Sequence, residues 1–397
     1  MKKAIIFLFL LLFILSCFPA CGSKEPKEIV LFPYESRNIN AKEGASFTSS
    51  DITVASVDDS GLVLALKPGQ TVITVKKNKK STEYPVTVLD PDEYLTLYDC
   101  SSITLTHSEL IKKLDQKKKD LLLANATWQV SQNAAAKDDR VTIDYDGKVD
   151  GKSFSGSTAT DYQMILGAET FIDGFEDGIL GRKAGDEIIM ELRFPDSYTK
   201  ELAGKPVTFT VKIKKVESPD LPAFDNDFVK AHTGYENTLD FDEGEYKSIK
   251  ISLAISKLTE QSEMTENPPK AVFDHYFDQY ILRLQTVLYY EYGQTVNSLK
   301  EILKLLDTTE KELRSSAQSQ LEISVKESLV FHSFAYKNKL MMTEDEFAKG
   351  TATYISENGY EDLDDLLSTS GLTVADIREV VLIDYLSLKI ADMITVE

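Results

Sequence analysis

The sequence predicts a multidomain chain: an all-β sandwich near the N-terminus, a second strand-rich unit in the middle and an all-α body towards the C-terminus. Three observations carry this. At 397 residues the chain exceeds one ordinary domain. Over Glu28 to Leu89, and again over Val141 to Glu217, apolar and polar residues alternate in short runs separated by turn residues, the period of strands. From Lys270 to Glu397 there is no proline and apolar residues recur at steps of three and four, the period of helices. These shifts divide the chain into a leader (1–21), a tether (22–27), the sandwich (28–90), a linker and helix (91–137), the central strand-rich unit (138–218) and the helical body (219–397).

Met1-Lys2-Lys3 is a positive start, and the apolar run Ala4 to Leu15 is too short to span a membrane but suits a secretory signal. Export is the expectation. Two cysteines sit where a signal peptidase would act, in Ile14-Leu15-Ser16-Cys17 and Phe18-Pro19-Ala20-Cys21, and both stretches resemble the bacterial lipobox. Cys17 has the better aliphatic residue three positions before it, and Cys21 the more usual Gly-Ser after it; Cys21 is preferred and Cys17 stays open. Either cysteine implies a lipid anchor at the extracytoplasmic face of a bacterial cell membrane. The only other cysteine, Cys100, cannot form an internal disulfide, so stability must come from packing. Lys24 to Lys27, with Pro26, reads as a short tether.

The strands of the first module are expected at Ile29–Phe32, Ile52–Val54, Leu62–Ala65, Val72–Val75 and Pro85–Val88. After the linker Pro91–Asp99 and a brief strand at Ile103–Leu105, Thr106 with Glu109 offers a capping box. Leu110, Ile111, Leu114, Leu121 and Leu122 continue a helix expected to reach Ala136, with Lys117-Lys118-Lys119 on its wet face. Ser218-Pro219-Asp220-Leu221-Pro222 reads as a rigid connector. Beyond it, Val272, Phe273, Tyr276, Phe277, Tyr280, Ile281, Leu284, Val287 and Leu288 form an apolar helical stripe. Thr309–Glu312 and Thr343–Glu346 are capping boxes, Gly359 and Gly371 are breaks, and five or six helices result. Tyr289, Tyr290 and Tyr292 are candidates to face a client chain.

Composition and motifs exclude much chemistry. A net charge of −20 argues against nucleic acid, which needs a basic surface. His107, His232, His275 and His332 are scattered without metal-ligand spacing, so no metal and no cofactor are expected. There is no nucleophile elbow, glycine-rich phosphate loop or zinc-protease motif. One reaction survives that absence because it breaks no σ bond: rotation about an X-Pro amide, whose barrier of about 18–20 kcal/mol comes from amide resonance. A dry aromatic pocket with one or two polar handles lowers it by disfavouring the planar, charge-separated form.

Ordered motifs point to such a pocket. Val141-Thr142-Ile143-Asp144-Tyr145-Asp146-Gly147, Val149 to Phe154, Leu166-Gly167, Phe171-Ile172-Asp173-Gly174-Phe175-Glu176-Asp177-Gly178 and Phe194-Pro195-Asp196-Ser197-Tyr198 together resemble the FKBP-type prolyl isomerase domain, in particular that of trigger factors. The resemblance implies an α+β half-barrel, an antiparallel sheet with one short helix. It places aromatic walls at Tyr145, Phe154, Tyr162 and Phe209, the floor at Phe175, rim residues at Phe171 and Ile172, and a substrate-bonding hydroxyl at Tyr198. The family's usual acidic residue after Phe154 is Ser155 here, a departure that weakens the polar handle. Leu221 to Phe228 resembles the segment after the isomerase in trigger factors, and Asn267 to Glu397 follows their helical chaperone body in pattern. In that family the helix before the isomerase, here Thr106 to Ala136, joins the helical body, so that the isomerase is an insertion in it. Ser50-Asp51, Val54-Ala55, Val57, Gly61, Val63, Ala65, Gly69, Ile73 and Val75 are spaced as in the bacterial Ig-like domain, group 2, which stands where trigger factors carry their ribosome-docking domain. Ribosome binding is therefore not expected.

The sequence thus leads to a membrane-anchored folding factor that isomerises X-Pro bonds and holds unfolded, proline-containing exported polypeptides. Two other readings stay open: a non-catalytic holdase, and an envelope-binding or adhesive lipoprotein whose Ig-like module is the functional part.

Overall fold

A computed structural model describes residues 28–39, 44–154, 156–196, 198, 202–370 and 372–397. Cys17, Cys21, Ser155, Ser197 and Gly371 lie outside these residues. The described chain forms two compact units, 108–247 and the pair of segments 28–107 and 248–397, so the first is an insertion in the sequence of the second.

The N-terminal segment makes seven strands: β1 (Ile29–Leu31), β2 (Ser36–Asn38), β3 (Ser46–Ser49), β4 (Ala55–Val57), β5 (Leu62–Ala65), β6 (Gly69–Lys77) and β7 (Lys80–Val88). They form a four-stranded sheet in the order β1-β7-β6-β3, with β1 parallel to β7, and a three-stranded sheet in the order β2-β5-β4. The alternation seen in sequence buries Ile29, Leu31, Val63, Ala65, Ile73 and Val86 in one core shared by both sheets. Ile52, expected in a strand, is exposed in the turn before β4. Short strands β8 (Leu95–Thr96) and β9 (Thr104–Leu105) follow.

Next comes the inserted unit. Helix α1 (His107–Ala124) stops well before Ala136, correcting the longer helix read from sequence. Asn125 lies just beyond it, and Thr127-Trp128-Gln129-Val130 alternates in strand fashion as β10, pairing with a partner about ninety residues later in the chain. Helix α1 belongs to the compact unit 108–247, where Lys117 pairs with Glu245 and Lys118 with Asp242 at 2.7 Å, both in the first turns of the helix that starts at Thr238, while Lys119 pairs with Asp138 at 2.6 Å. The sheet is completed by β11 (Arg140–Lys148), β12 (Thr158–Ile165), β13 (Glu187–Arg193) and β14 (Pro206–Asp220), with the short helix α2 (Phe175–Ile179) between β12 and β13. All pairings are antiparallel; the order is β10-β14-β11-β12, and β13 also pairs with β14. Ser218-Pro219-Asp220, expected as a connector, extends β14. Pro219 lies beyond the last β11 pair at Glu217, where the strand is paired on one side only, a setting that tolerates proline.

From there the chain is helical: α3 (Asn226–His232), α4 (Thr238–Gln261), a short strand β15 (Glu263–Met264), then α5 (Lys270–Tyr292), α6 (Leu299–Leu306), α7 (Glu310–Asn338), α8 (Glu344–Asn358), α9 (Leu363–Ser370), α10 (Val374–Met393) and a last short strand β16 (Thr395–Val396). The capping boxes at Thr309–Glu312 and Thr343–Glu346 form as expected, and Thr373–Asp376 adds a third. Gly359 ends α8 in the left-handed conformation. Val272, Phe277, Ile281, Leu284 and Leu288 of the α5 stripe are buried, whereas Tyr289 and Tyr292 are exposed; the Tyr290 side chain lies outside the described structure. β8 pairs with β15 and β9 with β16, so the linker strands are sewn to the helical segment.

The seven-stranded module is also fastened to these helices by a buried polar network. In the β1–β2 turn, Glu35 accepts from the Phe32 N–H at 2.9 Å and pairs with Arg37 at 3.0 Å. His332 of α7, wholly buried and stacked against Phe32, reaches the Pro33 carbonyl with Nδ1 at 2.9 Å and Glu379 of α10 with Nε2 at 3.2 Å. Burial alone would depress the imidazole pKa, but the Glu379 and Glu35 carboxylates and the Pro33 carbonyl together raise it above the usual value. A raised histidine pKa stabilises the fold below the unfolded-state pKa of about 6.5, and that contribution disappears as pH rises through the folded-state value. His332→Gln should therefore destabilise the chain by about 1–3 kcal/mol at mildly acidic pH. In denaturant melts its deficit against wild type should shrink as pH rises from about 6 to 9, and a deficit independent of pH would show that the imidazole does not carry charge there.

Candidate active site

Two irregularities in the sheet build the site. The register between β11 and β12 shifts between Ile143, opposite Tyr162, and Tyr145, opposite Ala159, while that between β11 and β14 shifts between Thr142 and Ile143. Bulges re-aim side chains, and here Val141, Thr142 and Ile143 are all buried in sequence before Tyr145 emerges half-buried at the edge of the core. Across the sheet, Phe209 of β14 is opposite Gly147, so close that a Cβ on Gly147 would stand 2.5 Å from the phenyl ring. Gly178 plays the matching part in α2, where a Cβ would meet the Met190 sulfur at 2.1 Å. The glycines let ring and helix settle directly on the sheet.

Five predicted pocket residues thereby form one nest of rings. Phe175 is wholly buried, and Phe209 meets it edge-on at 5.2 Å between centroids. Tyr145 is edge-on to Phe175 at 6.1 Å, to Phe209 at 6.2 Å, to Phe171 at 5.6 Å and to Tyr162 at 5.9 Å. Phe171 is edge-on to Tyr162 at 5.5 Å and lies flat on Phe175 at 4.1 Å. Such offset and edge-on contacts suit the aromatic quadrupole, and each adds about 0.5–1.5 kcal/mol beyond its buried area. Burial grades outward, from Phe175 and Phe209 through half-buried Tyr145 and Phe171 to Tyr162 at the surface.

A second group stands beside the first on the same core. Phe154 is edge-on to Phe194 at 5.5 Å, and Phe194 is 4.6 Å from Tyr198. Phe154, Tyr198 and Ile172 all pack half-exposed against the core that contains Phe175 and Phe209. The structure therefore brings seven of the eight predicted residues to one core, and Tyr162 joins them at the surface through its contacts with Tyr145 and Phe171. Phe194 was not singled out in sequence, although it opens the Phe194-Pro195 motif; it is the buried ring that links Phe154 to Tyr198.

The polar groups are few and specific. Burial, with neighbouring Tyr162 and Tyr198, raises the Tyr145 pKa above the ordinary phenol value, and burial raises that of Tyr198. Both hydroxyls therefore stay protonated at neutral pH and can donate; that of Tyr145 donates to the Gly156 carbonyl at 3.4 Å. Glu176, also missed in sequence, holds the loop before α2 with both carboxylate oxygens, one accepting from the Gly167 N–H at 2.6 Å and the other from the Thr170 N–H at 3.0 Å. Its place directly after the floor residue was the available signal. Among the described residues no cluster of three or more His, Cys, Asp or Glu is placed to hold a metal. The rings form a largely desolvated aromatic surface with phenolic donors, suited to binding and twisting a planar amide.

Comparison with known proteins agrees in kind. Residues 131–214 match the family described as FKBP-type peptidyl-prolyl cis-trans isomerase. The trigger factor of Levilactobacillus brevis is 30% identical over 332 residues, 78% of this chain and 73% of that protein. That of Lactobacillus gasseri is 31% identical over 310 residues, 74% of this chain and 67% of the relative. A trigger factor of Acinetobacter baumannii reaches 46% identity, but over 105 residues, 26% of this chain and 24% of that one.

The contact between Gly147 and Phe209 yields a direct prediction. Gly147→Ala should lower stability by about 1–3 kcal/mol through overpacking. Chemical denaturation of the full chain measures this, and a change under about 0.5 kcal/mol would show that the ring can retreat without cost.

Proposed function

The chain belongs to the trigger factor family and carries an FKBP-type peptidyl-prolyl cis-trans isomerase, and from that premise we propose that it serves as a lipid-anchored folding factor for exported proteins. The observation that carries the catalytic reading is the nest of rings centred on Tyr145, Phe171, Phe175 and Phe209. A prolyl ring seated there leaves water, and the imide is driven from its planar, more polar form towards the twisted one. Tyr198 and the rim backbone at Ile172 hold the flanking carbonyls, while Phe154 and Tyr162 close the sides. No proton moves in the reaction.

Location and clients follow from the N-terminal sequence. The leader, with Cys21 or Cys17 as the lipidated residue, supports anchoring at the extracytoplasmic face of the membrane. The seven-stranded module, read as an Ig-like domain, takes the position of a ribosome-docking domain, so the clients are unfolded exported chains rather than chains emerging from a ribosome. Its buried links to the helices through Glu35 and His332 favour a part of the chaperone body over a free adhesive arm. The helical segment then holds client chain and raises the local concentration of its prolines at the pocket. Uncatalysed isomerisation takes tens to hundreds of seconds, slow enough for such a catalyst to matter.

Refolding of a client whose slow phase is prolyl isomerisation tests the enzyme. Wild type should accelerate that phase, and Phe154→Ala should cut the acceleration at least about tenfold while suppression of aggregation persists. Suppression without acceleration in wild type would leave a holdase only. Metabolic labelling with a fatty acid tests the anchor: label on the wild type should vanish in Cys21→Ala, or in Cys17→Ala if that cysteine is the acceptor. A wild-type protein without label would refute anchoring.

A further inference from the structure

The floor of the proposed pocket is covered. Phe175 is 0% exposed, so a prolyl ring cannot reach it in this conformation. Its contacts differ in kind: Phe209 and Tyr145 approach edge-on, at 87° and 84°, whereas Phe171 lies nearly parallel, at 13° and 4.1 Å. The remainder of the Phe175 ring is in the core shared with Ile179 and Val211. A compact, puckered prolyl ring sets its C–H groups against an aromatic face rather than an edge, and one face of Phe175 is occupied by Phe171.

Phe171 is placed to move without its loop. On its N-terminal side Glu176 clamps the Gly167 and Thr170 N–H groups. On its C-terminal side the turn from Ile172 to Phe175 is closed by a hydrogen bond of 3.1 Å. The backbone on both sides is thus held, while the phenyl ring is half-exposed at the margin of the core, with Tyr145 and Tyr162 at its edges. Rotation about its side-chain bonds would uncover the floor and leave the sheet unchanged.

We propose that Phe171 is an internal gate that occupies the prolyl subsite by stacking on Phe175, so that substrate enters only the minor state in which this ring has swung away. The proposal rests on the reading of the ring nest as the isomerase pocket. Its consequence runs opposite to that of an ordinary wall residue: apparent affinity equals the intrinsic affinity scaled by the open fraction, so removing the ring strengthens binding.

The test uses the full chain without its leader and an N-terminally blocked Ala-Phe-Pro-Phe peptide carrying a fluorescent label. Binding is followed by stopped-flow polarisation, with intact folding checked by thermal melting. Phe171→Val should bind roughly three- to tenfold tighter than wild type, mainly through a faster on-rate, as expected for loss of one stacked-ring contact. Phe171→Leu, which keeps bulk but lacks a flat ring, should do the same to a smaller extent and covers the case in which the valine variant folds poorly. Binding by either folded variant equal to or weaker than wild type would overturn the gate and leave Phe171 as a substrate-contacting wall, with the pocket reading intact. Failure of wild type and both variants to bind would overturn the pocket reading itself and the gate with it.

Discussion

The central unit depends on one strand. β14 pairs with β11 on one side and with β13 and then β10 on the other, so three strands take their register from it directly and β12 takes its own through β11. It also delivers Phe209 onto Phe175, and the missing Cβ at Gly147 is what permits that approach. A one-residue slip of β14 would turn Phe209, Val211 and Ile213 to the opposite face of the sheet. Core, floor and walls of the site would then be lost together, which is why the shape of the pocket and the stability of the unit cannot be separated.

Much of the site was legible because it lies in short, ordered motifs. Tyr145, Phe154, Phe171, Ile172, Phe175 and Tyr198 each sit at a bulge, turn or helix start that their neighbours specify locally, Phe209 falls in the regular alternation of β14, and the structure gathers them. Helix starts at Thr309 and Thr343 were legible for the same reason, since a capping box is complete within four residues. What escaped depends on distant partners. Thr127–Val130 is too short for its alternation to outweigh the helical run before it, and it becomes a strand only through Ser218 and Pro219. Phe194 and Glu176 lay inside recognised motifs, but the roles they play, linking two rings and clamping two amides, appear only in three dimensions.

The same limit explains the network at Glu35 and His332. His332 looks in sequence like one more scattered histidine on a helix, yet its partner Pro33 is 299 residues away. The network links the chain's first strands to helices near its end, and with the short pairs β8–β15 and β9–β16 it makes the segments around the insertion one structural body. The isomerase unit therefore begins and ends within a framework whose two halves are joined independently of it.

In the proposed mechanism the X-Pro bond turns at the ring nest. Magnetisation-exchange NMR on a short proline peptide measures that event without any refolding client. With catalytic amounts of the full chain, cis and trans signals should exchange far faster than in buffer, and Phe209→Leu, which empties one wall but keeps an apolar core, should return the exchange close to the uncatalysed rate. Undiminished exchange in Phe209→Leu would contradict the assignment of catalysis to these rings.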